Sequence, residues 1–184
     1  MESVGLKEWA IVCEAMGRGD QSVILRKGGI AEGRAGFAFR HPEFFLFPTF
    51  FHEQLGQTRL PDAKIPKERA GEIEIQFFAR TVAVKEITSW EIIAALEPLH
   101  ILEQSVVRER FDYDDRPGLH VALVRVFRLR PSWIFPNSPR YGGCRSWVKL
   151  PECPVETRFE PVLTDQEHAK LVAKFTRLVL SSAD

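Results

Sequence analysis

Between Arg125 and Leu150 the chain carries six basic residues, Arg125, Arg128, Arg130, Arg140, Arg145 and Lys149, and no aspartate or glutamate. Phe127, Trp133, Phe135, Tyr141 and Trp147 are interleaved with them. Guanidinium groups fork onto phosphate oxygens and flat rings give unstacked bases a platform, so this mixture suits a nucleic-acid surface. Arg128, Arg130, Arg140, Arg145 and Lys149 are the candidate phosphate contacts, and Trp133 or Tyr141 the candidate stacking rings. The bland alternative is that the rings are core and the arginines edge a sheet. Phe127 and Arg125 fall inside a strand pattern and serve the fold on this reading. Pro131, Pro136 and Pro139 surround Trp133, Phe135 and Tyr141, where a core role is less automatic.

Other groupings carry weaker chemistry. His41 and Glu43 precede an aromatic strand, and His52 and Glu53 follow it. Converged, they would hold a divalent metal in a hydrolase or nuclease subunit, but their spacing matches no known ligand motif. Histidine beside a strand end is more often a hydrogen-bonded structural residue. Arg26, Lys27, Gly28 and Gly29 resemble a phosphate-cradling turn, although the lysine precedes the glycines and no P-loop frame surrounds them. Asp62 with Glu72 and Glu74 has the outline of a Mg²⁺-binding carboxylate cluster, yet lacks the lysine that such sites place after the second acid. The strand from Val23 lacks the long acidic box of nucleotide-diphosphate hydrolases. Asp112, Asp114 and Asp115 lack the glycine and distal glutamate of a calcium loop. No nucleophile set has a local signature, and no cofactor motif is present.

These residues need elements to hold them. Leu6, Trp9, Ala10, Cys13 and Met16 recur at helical spacing, with Gly17 and Gly19 as a stop. Strands are expected at Ser22 to Lys27 and at Glu43 to Phe47, the second breaking at Pro48 and covered on both faces. Residues 56–71 read as a long exposed loop, or a hinge between two lobes. A half-buried strand from Glu72 to Val84 puts Ile73, Ile75 and Phe77 on one face. Thr88 with Glu91 forms a capping box, stapled by Ile87 and Ile92, for a helix interrupted at Pro98. Leu99 to Phe111 is a further helical or extended piece, and 112–118 a turn. Leu119 to Leu129 is a central strand, 131–143 a proline-interrupted loop, and Ser146 to Leu150 a short closing strand. Thr164 and Glu167 cap a last helix whose stripe is Leu171, Val172, Phe175, Leu178 and Val179. Mixed elements without regular βαβ alternation indicate an α+β fold: a mixed, largely antiparallel sheet flanked by three to four helices, with residues 1–184 as a single domain.

Composition sets outer bounds. The 25 basic and 25 acidic residues balance, so no global field draws the chain onto nucleic acid or an anionic membrane. Hydrophobic residues at 45% and charged residues at 27% are globular values. Three cysteines, Cys13 in an apolar pattern and Cys144 and Cys153 without metal spacing, suit a reducing compartment. With neither a signal-peptide pattern nor an apolar run of membrane length, the cytoplasm is the expected location and no membrane the expected partner.

Leu6, Lys7, Glu8 and Trp9, then Arg26 through Ile30, then the run Phe44 to Thr49 and the following His52, resemble a bacterial family known as domain of unknown function 1802. The resemblance covers most of the chain. In that family the histidine is commonly followed by glutamine, whereas here Glu53 intervenes before Gln54. The positions carried over are Trp9, Arg26, Lys27, Gly28, Gly29, Phe45, Pro48, Thr49 and His52. The family has no established activity. The association of some relatives with restriction-endonuclease-like domains implies a part in restriction–modification, with DNA or RNA and a restriction-type protein as partners. The expected function is a non-catalytic nucleic-acid-recognition module. A strand, an aromatic loop and a closing strand resemble part of a small PUA-like barrel. The alternatives are the metal-dependent subunit above and a protein-interaction component whose exposed rings dock a partner.

Overall fold

A computed structural model describes residues 3–27, 37–60, 64 and 66–180, apart from the side chains of His52 and Glu53. The chain opens with strand β1 (Val4–Trp9), which leads directly into helix α1 (Ala10–Arg18). The helical spacing from Leu6 is therefore real only from Ala10 onward. Val4, Leu6 and Glu8 alternate into the interior because β1 lies parallel to a later strand, a partnership that local spacing cannot announce. Gly19 ends α1 as expected: at φ 84° its N–H reaches the carbonyls of Ala15 and Met16.

Strands β2 (Val23–Arg26), β3 (Glu43–Thr49) and β4 (Glu72–Ile87) follow. Helices α2 (Trp90–Ala95) and α3 (Gln104–Phe111) precede the longest strand, β5 (Leu119–Pro136). Short strands β6 (Trp147–Lys149) and β7 (Arg158–Pro161) lead to helix α4 (Asp165–Leu180). The seven strands form one mixed sheet in the order β2-β5-β4-β3-β1-β6, with β7 added beside β5. Among the described strands only the β1–β3 pair is parallel, so the α+β class with a largely antiparallel sheet is the observed one. The hydrogen-bonded path is open among the described strands, so the sheet is not a closed barrel. Phe37 bridges β6 and β5, stacked on Trp147 of β6 at 6.1 Å and edge-on to His120 of β5 at 6.0 Å.

Three strand expectations change. β3 runs through Pro48 to Thr49; the β4 ladder covers only Glu43 to Phe45, so one side of β3 is unpaired where the proline sits. β5 continues past Pro131 to Pro136, because Phe135 and Trp133 pair with Ile73 and Ile75 of β4. The expected 131–143 loop therefore begins six residues late. In β4 a register shift between Ile75 and Phe77 turns Phe77 to the opposite side from Ile73 and Ile75. β7 gave no sequence signal, since all four of its residues are exposed.

Both sheet faces are covered, as the alternation in β3 requires. Phe44 and Leu46 enter one core with Leu6, Met16, Phe77 and Phe175, while Phe45 and Phe47 enter a second with Ile75, Phe78, Trp133 and Tyr141. The cap of α2 lies one residue later than expected: Ser89 accepts the Ile92 N–H at 3.3 Å and donates to Glu91. The Thr164–Glu167 box caps α4 as expected, with reciprocal bonds of 3.3 Å and 2.8 Å. Residues 56–71 are less loop-like than expected at their start. Gln57 and Arg59 pair with Glu103 and Ile101, while 61–63 and 65 lie outside the described residues. Among the described residues no helix is long and apolar enough to cross a membrane.

The same strip buries His100, whose Nδ1 accepts the Leu102 N–H at 3.2 Å. Burial first, then the charges of Arg59 and Arg110, push its pKa down to about 4. The unfolded chain takes up this proton near pH 6.5, so stability from His100 is whole above that value and is lost as pH falls toward 4. Between pH 7 and pH 5 the loss is expected to be about 2 kcal/mol. Urea melts at the two pH values measure it, and His100→Gln should flatten that dependence.

Candidate functional site

The fold divides the acid-free run into two halves. In the first, Arg125 pairs with Asp165, Arg130 reaches Glu160 at 3.2 Å, and Arg128 donates to the Gly17 carbonyl at 2.8 Å while lying over the Phe77 ring. These arginines tie β5 to α4, β7 and α1. Trp133 and Tyr141 are each 4% exposed and pack in the second core, against Phe45 and Phe47 respectively. Neither presents a free face to a base.

The second half is different. Arg140 lies over Tyr141, 4.7 Å from its centroid, and Arg145 and Lys149 are exposed. Among the described residues none of the three has a carboxylate partner. Val148 faces the second core and Trp147 the first, so strand alternation puts Lys149 on the Trp147 side. The loop before β6 is fastened by Lys7, whose Nζ donates to the carbonyls of Gly142 and Gly143 at 3.1 and 2.8 Å. Burial lowers the Lys7 pKa, with Cys144 opposing that shift. Between this loop and the end of β3 opens a cleft of about 500 Å³, lined by Phe47, Thr49, Phe50, Asn137, Ser138 and Tyr141 among others.

A second constellation gathers at the end of β1. Glu8 points inward at 3% exposure, a position that demands a partner. Its carboxylate accepts the Trp9 N–H at 2.8 Å and pairs with Arg26 from β2 at 3.2 Å. Arg26 also donates to the Lys7 carbonyl, so a side chain links β2 to β1 where no backbone ladder does. Arg110 of α3 donates to Leu25 at 3.2 Å and lies 4.6 Å from the Trp9 centroid. Burial lowers its pKa to about 10, helped by the Arg26 charge and opposed by Glu8 and Glu109. Thr49 donates to the Glu8 carbonyl at 3.0 Å, and Gln54 joins Thr49 to the first turn of α1. Trp9, Arg26 and Thr49 therefore converge. Lys27 faces away from them, holding the carbonyls of Phe111, Arg116 and Gly118 and pairing with Asp114. Gly28 and Gly29 lie outside the described residues. Glu8 and Arg110 were not found from sequence; an acid alternating with Val4 and Leu6 was the available signal for Glu8.

The histidine and carboxylate groupings do not converge. His41 and Glu43 stand at the start of β3, whereas His52 and Glu53 begin the turn beyond its end. Glu43 pairs with Arg80 at 2.7 Å, and His41 packs edge-on to Trp147 at 4.9 Å. Glu72 and Glu74 both pair with Arg69, and Asp62 lies outside the described residues. Burial raises the Glu74 carboxyl, but hydrogen bonds from Arg69 and Ser132 outweigh it and hold it below the usual range. Among the described residues no group of three or more His, Cys, Asp or Glu side chains could hold a metal ion.

The chain belongs to the family described as a domain of unknown function, DUF1802, whose model matches residues 5–174. No curated protein matches it. Among solved structures it is similar to the ASCH protein of Zymomonas mobilis, at 13% identity over 94% of each chain with a TM-score of 0.44. A tyrosine-to-phenylalanine mutant of that protein is similar at 14% identity, over 94% of this chain and 98% of the other, with a TM-score of 0.43.

Proposed function

We propose that the protein is a nucleic-acid-recognition module that takes the phosphate backbone on Arg140, Arg145 and Lys149, the exposed cations of β6 and the loop before it. One contrast carries this reading. Arg125, Arg128 and Arg130 are occupied by Asp165, Gly17 and Glu160, while the other three cations stand exposed without a carboxylate among the described residues. Cations without a carboxylate partner can take phosphate without giving up an ion pair. With Trp133 and Tyr141 buried, the half-buried Phe50 of the cleft offers a base one aromatic surface.

Fluorescence anisotropy with single-stranded and duplex DNA and RNA tests this. Three phosphate contacts to a single strand predict a salt slope of roughly −2, so affinity should fall on the order of twentyfold between about 50 and 200 mM salt. Arg140→Ala with Arg145→Ala should cut the slope to about −0.7. Arg130→Ala, which removes a cation already paired with Glu160, should leave it unchanged. Absent or salt-insensitive binding overturns the proposal.

A further inference from the structure

We infer that Arg26 and Arg110, which meet the end of β1 at Glu8 and Trp9 respectively, form a binding site for a terminal phosphate group, a reading independent of the nucleic-acid proposal. Neither arginine belongs to the acid-free run. They arrive from β2 and α3: Arg110 donates to the carbonyl of Leu25, next to Arg26, and lies over Trp9, while Arg26 pairs with Glu8, next to Trp9. Among the described residues Glu8 is the single buried carboxylate against these two guanidinium groups, Glu109 being exposed on α3.

The donor inventory points to an oxyanion. Each guanidinium has several N–H donors in a planar fork. Those of Arg26 serve Glu8 and the Lys7 carbonyl, and its Nε is buried with no acceptor. Arg110 spends one nitrogen on Leu25. Trp9, itself edge-on to Phe51 at 5.2 Å, fixes the plane of Arg110 by stacking. Two forks from different segments offer more donors than a carboxylate's two oxygens take up, whereas a phosphate ester presents three oxygens and up to two charges. The Arg26 side chain is 19% exposed, which suits a group entering end-on and not a backbone phosphate within a strand.

A purely structural account is less economical. Like-charged groups brought together at a half-buried position destabilise the fold, and a buried ion set gains little over an apolar one of the same shape. An anion between the forks would relieve the repulsion and satisfy the remaining N–H groups.

The experiment uses the full chain at constant ionic strength and reads the Trp9 indole N–H resonance, so the primary readout needs no variant. Inorganic phosphate, adenosine 5′-monophosphate and a short oligonucleotide with either a 5′-phosphate or a 5′-hydroxyl are added separately. A saturable shift with phosphate or the nucleotide is expected, weakened about tenfold in Arg110→Lys, which keeps the charge and loses the fork. A resonance that stays fixed up to about 50 mM phosphate overturns the inference, as does equal affinity in wild type and Arg110→Lys. Tighter binding of the 5′-phosphorylated strand than of its hydroxyl counterpart, abolished by Arg110→Lys, identifies a strand end as the source. Tighter binding of the free nucleotide identifies a small molecule. Arg140→Ala with Arg145→Ala should alter the salt-dependent oligonucleotide affinity and leave the phosphate shift intact, so failure of either proposal is recognisable separately.

Discussion

Gly17→Ala is expected to cost more than about 3 kcal/mol, seen as a lowered urea midpoint and a fall in Tm. A methyl group at this position in α1 would overlap the Phe77 ring. Ordinarily a ring could slide aside, but Phe77 is 2% exposed and backed by the Arg128 guanidinium, 4.8 Å from its centroid. That guanidinium is itself anchored to the Gly17 carbonyl at 2.8 Å. Ring, helix and arginine thus form a closed stack with no slack, and interiors at crystal-like density do not absorb an extra methyl cheaply. Adding Phe77→Leu to Gly17→Ala should restore part of the loss, giving a coupling that two independent sites would not show. A Gly17→Ala protein that melts like wild type would contradict this packing.

Glu8→Gln should cost about 3 kcal/mol despite changing almost no volume. The carboxylate is the buried counter-charge of Arg26, and the amide leaves that guanidinium without it. Loss of one partner from a buried pair is severe because the other stays desolvated. Glu8→Leu with Arg26→Met, which removes both charges, should therefore be more stable than Glu8→Gln alone. Chemical denaturation of the three proteins measures the difference; a Glu8→Gln cost below about 1 kcal/mol would show that the pair does not hold this position.

Local chemistry in the sequence announced much of this fold. The Thr164–Glu167 box, Gly19 and the two-sided aromatics of β3 each perform the role their neighbours dictate. What escaped was decided over distance. Leu6 and Trp9 fit a helical spacing, yet β1 is a strand because β3 lies alongside it. Pro131 and Pro136 look like loop residues, yet Ile73 and Ile75 hold Trp133 and Phe135 in a ladder. The site followed the same division. Family resemblance marked Trp9, Arg26 and Thr49, which meet around Glu8. Arg110 joins them from α3, far along the chain, and no local pattern distinguishes it from Arg108, the other arginine of that helix.

The twofold covering of the sheet has a consequence for how such a protein can change. A sheet with one open face could alter its partner by exchanging residues across that face. Here both faces are occupied, so core strands such as β3 are already spoken for on either side. New specificity must be written at strand ends and in the connections, such as the 137–142 loop, where substitutions leave the interior untouched. Divergence among related chains is thereby channelled to the periphery, and relatives could trade ligands while keeping the same interior.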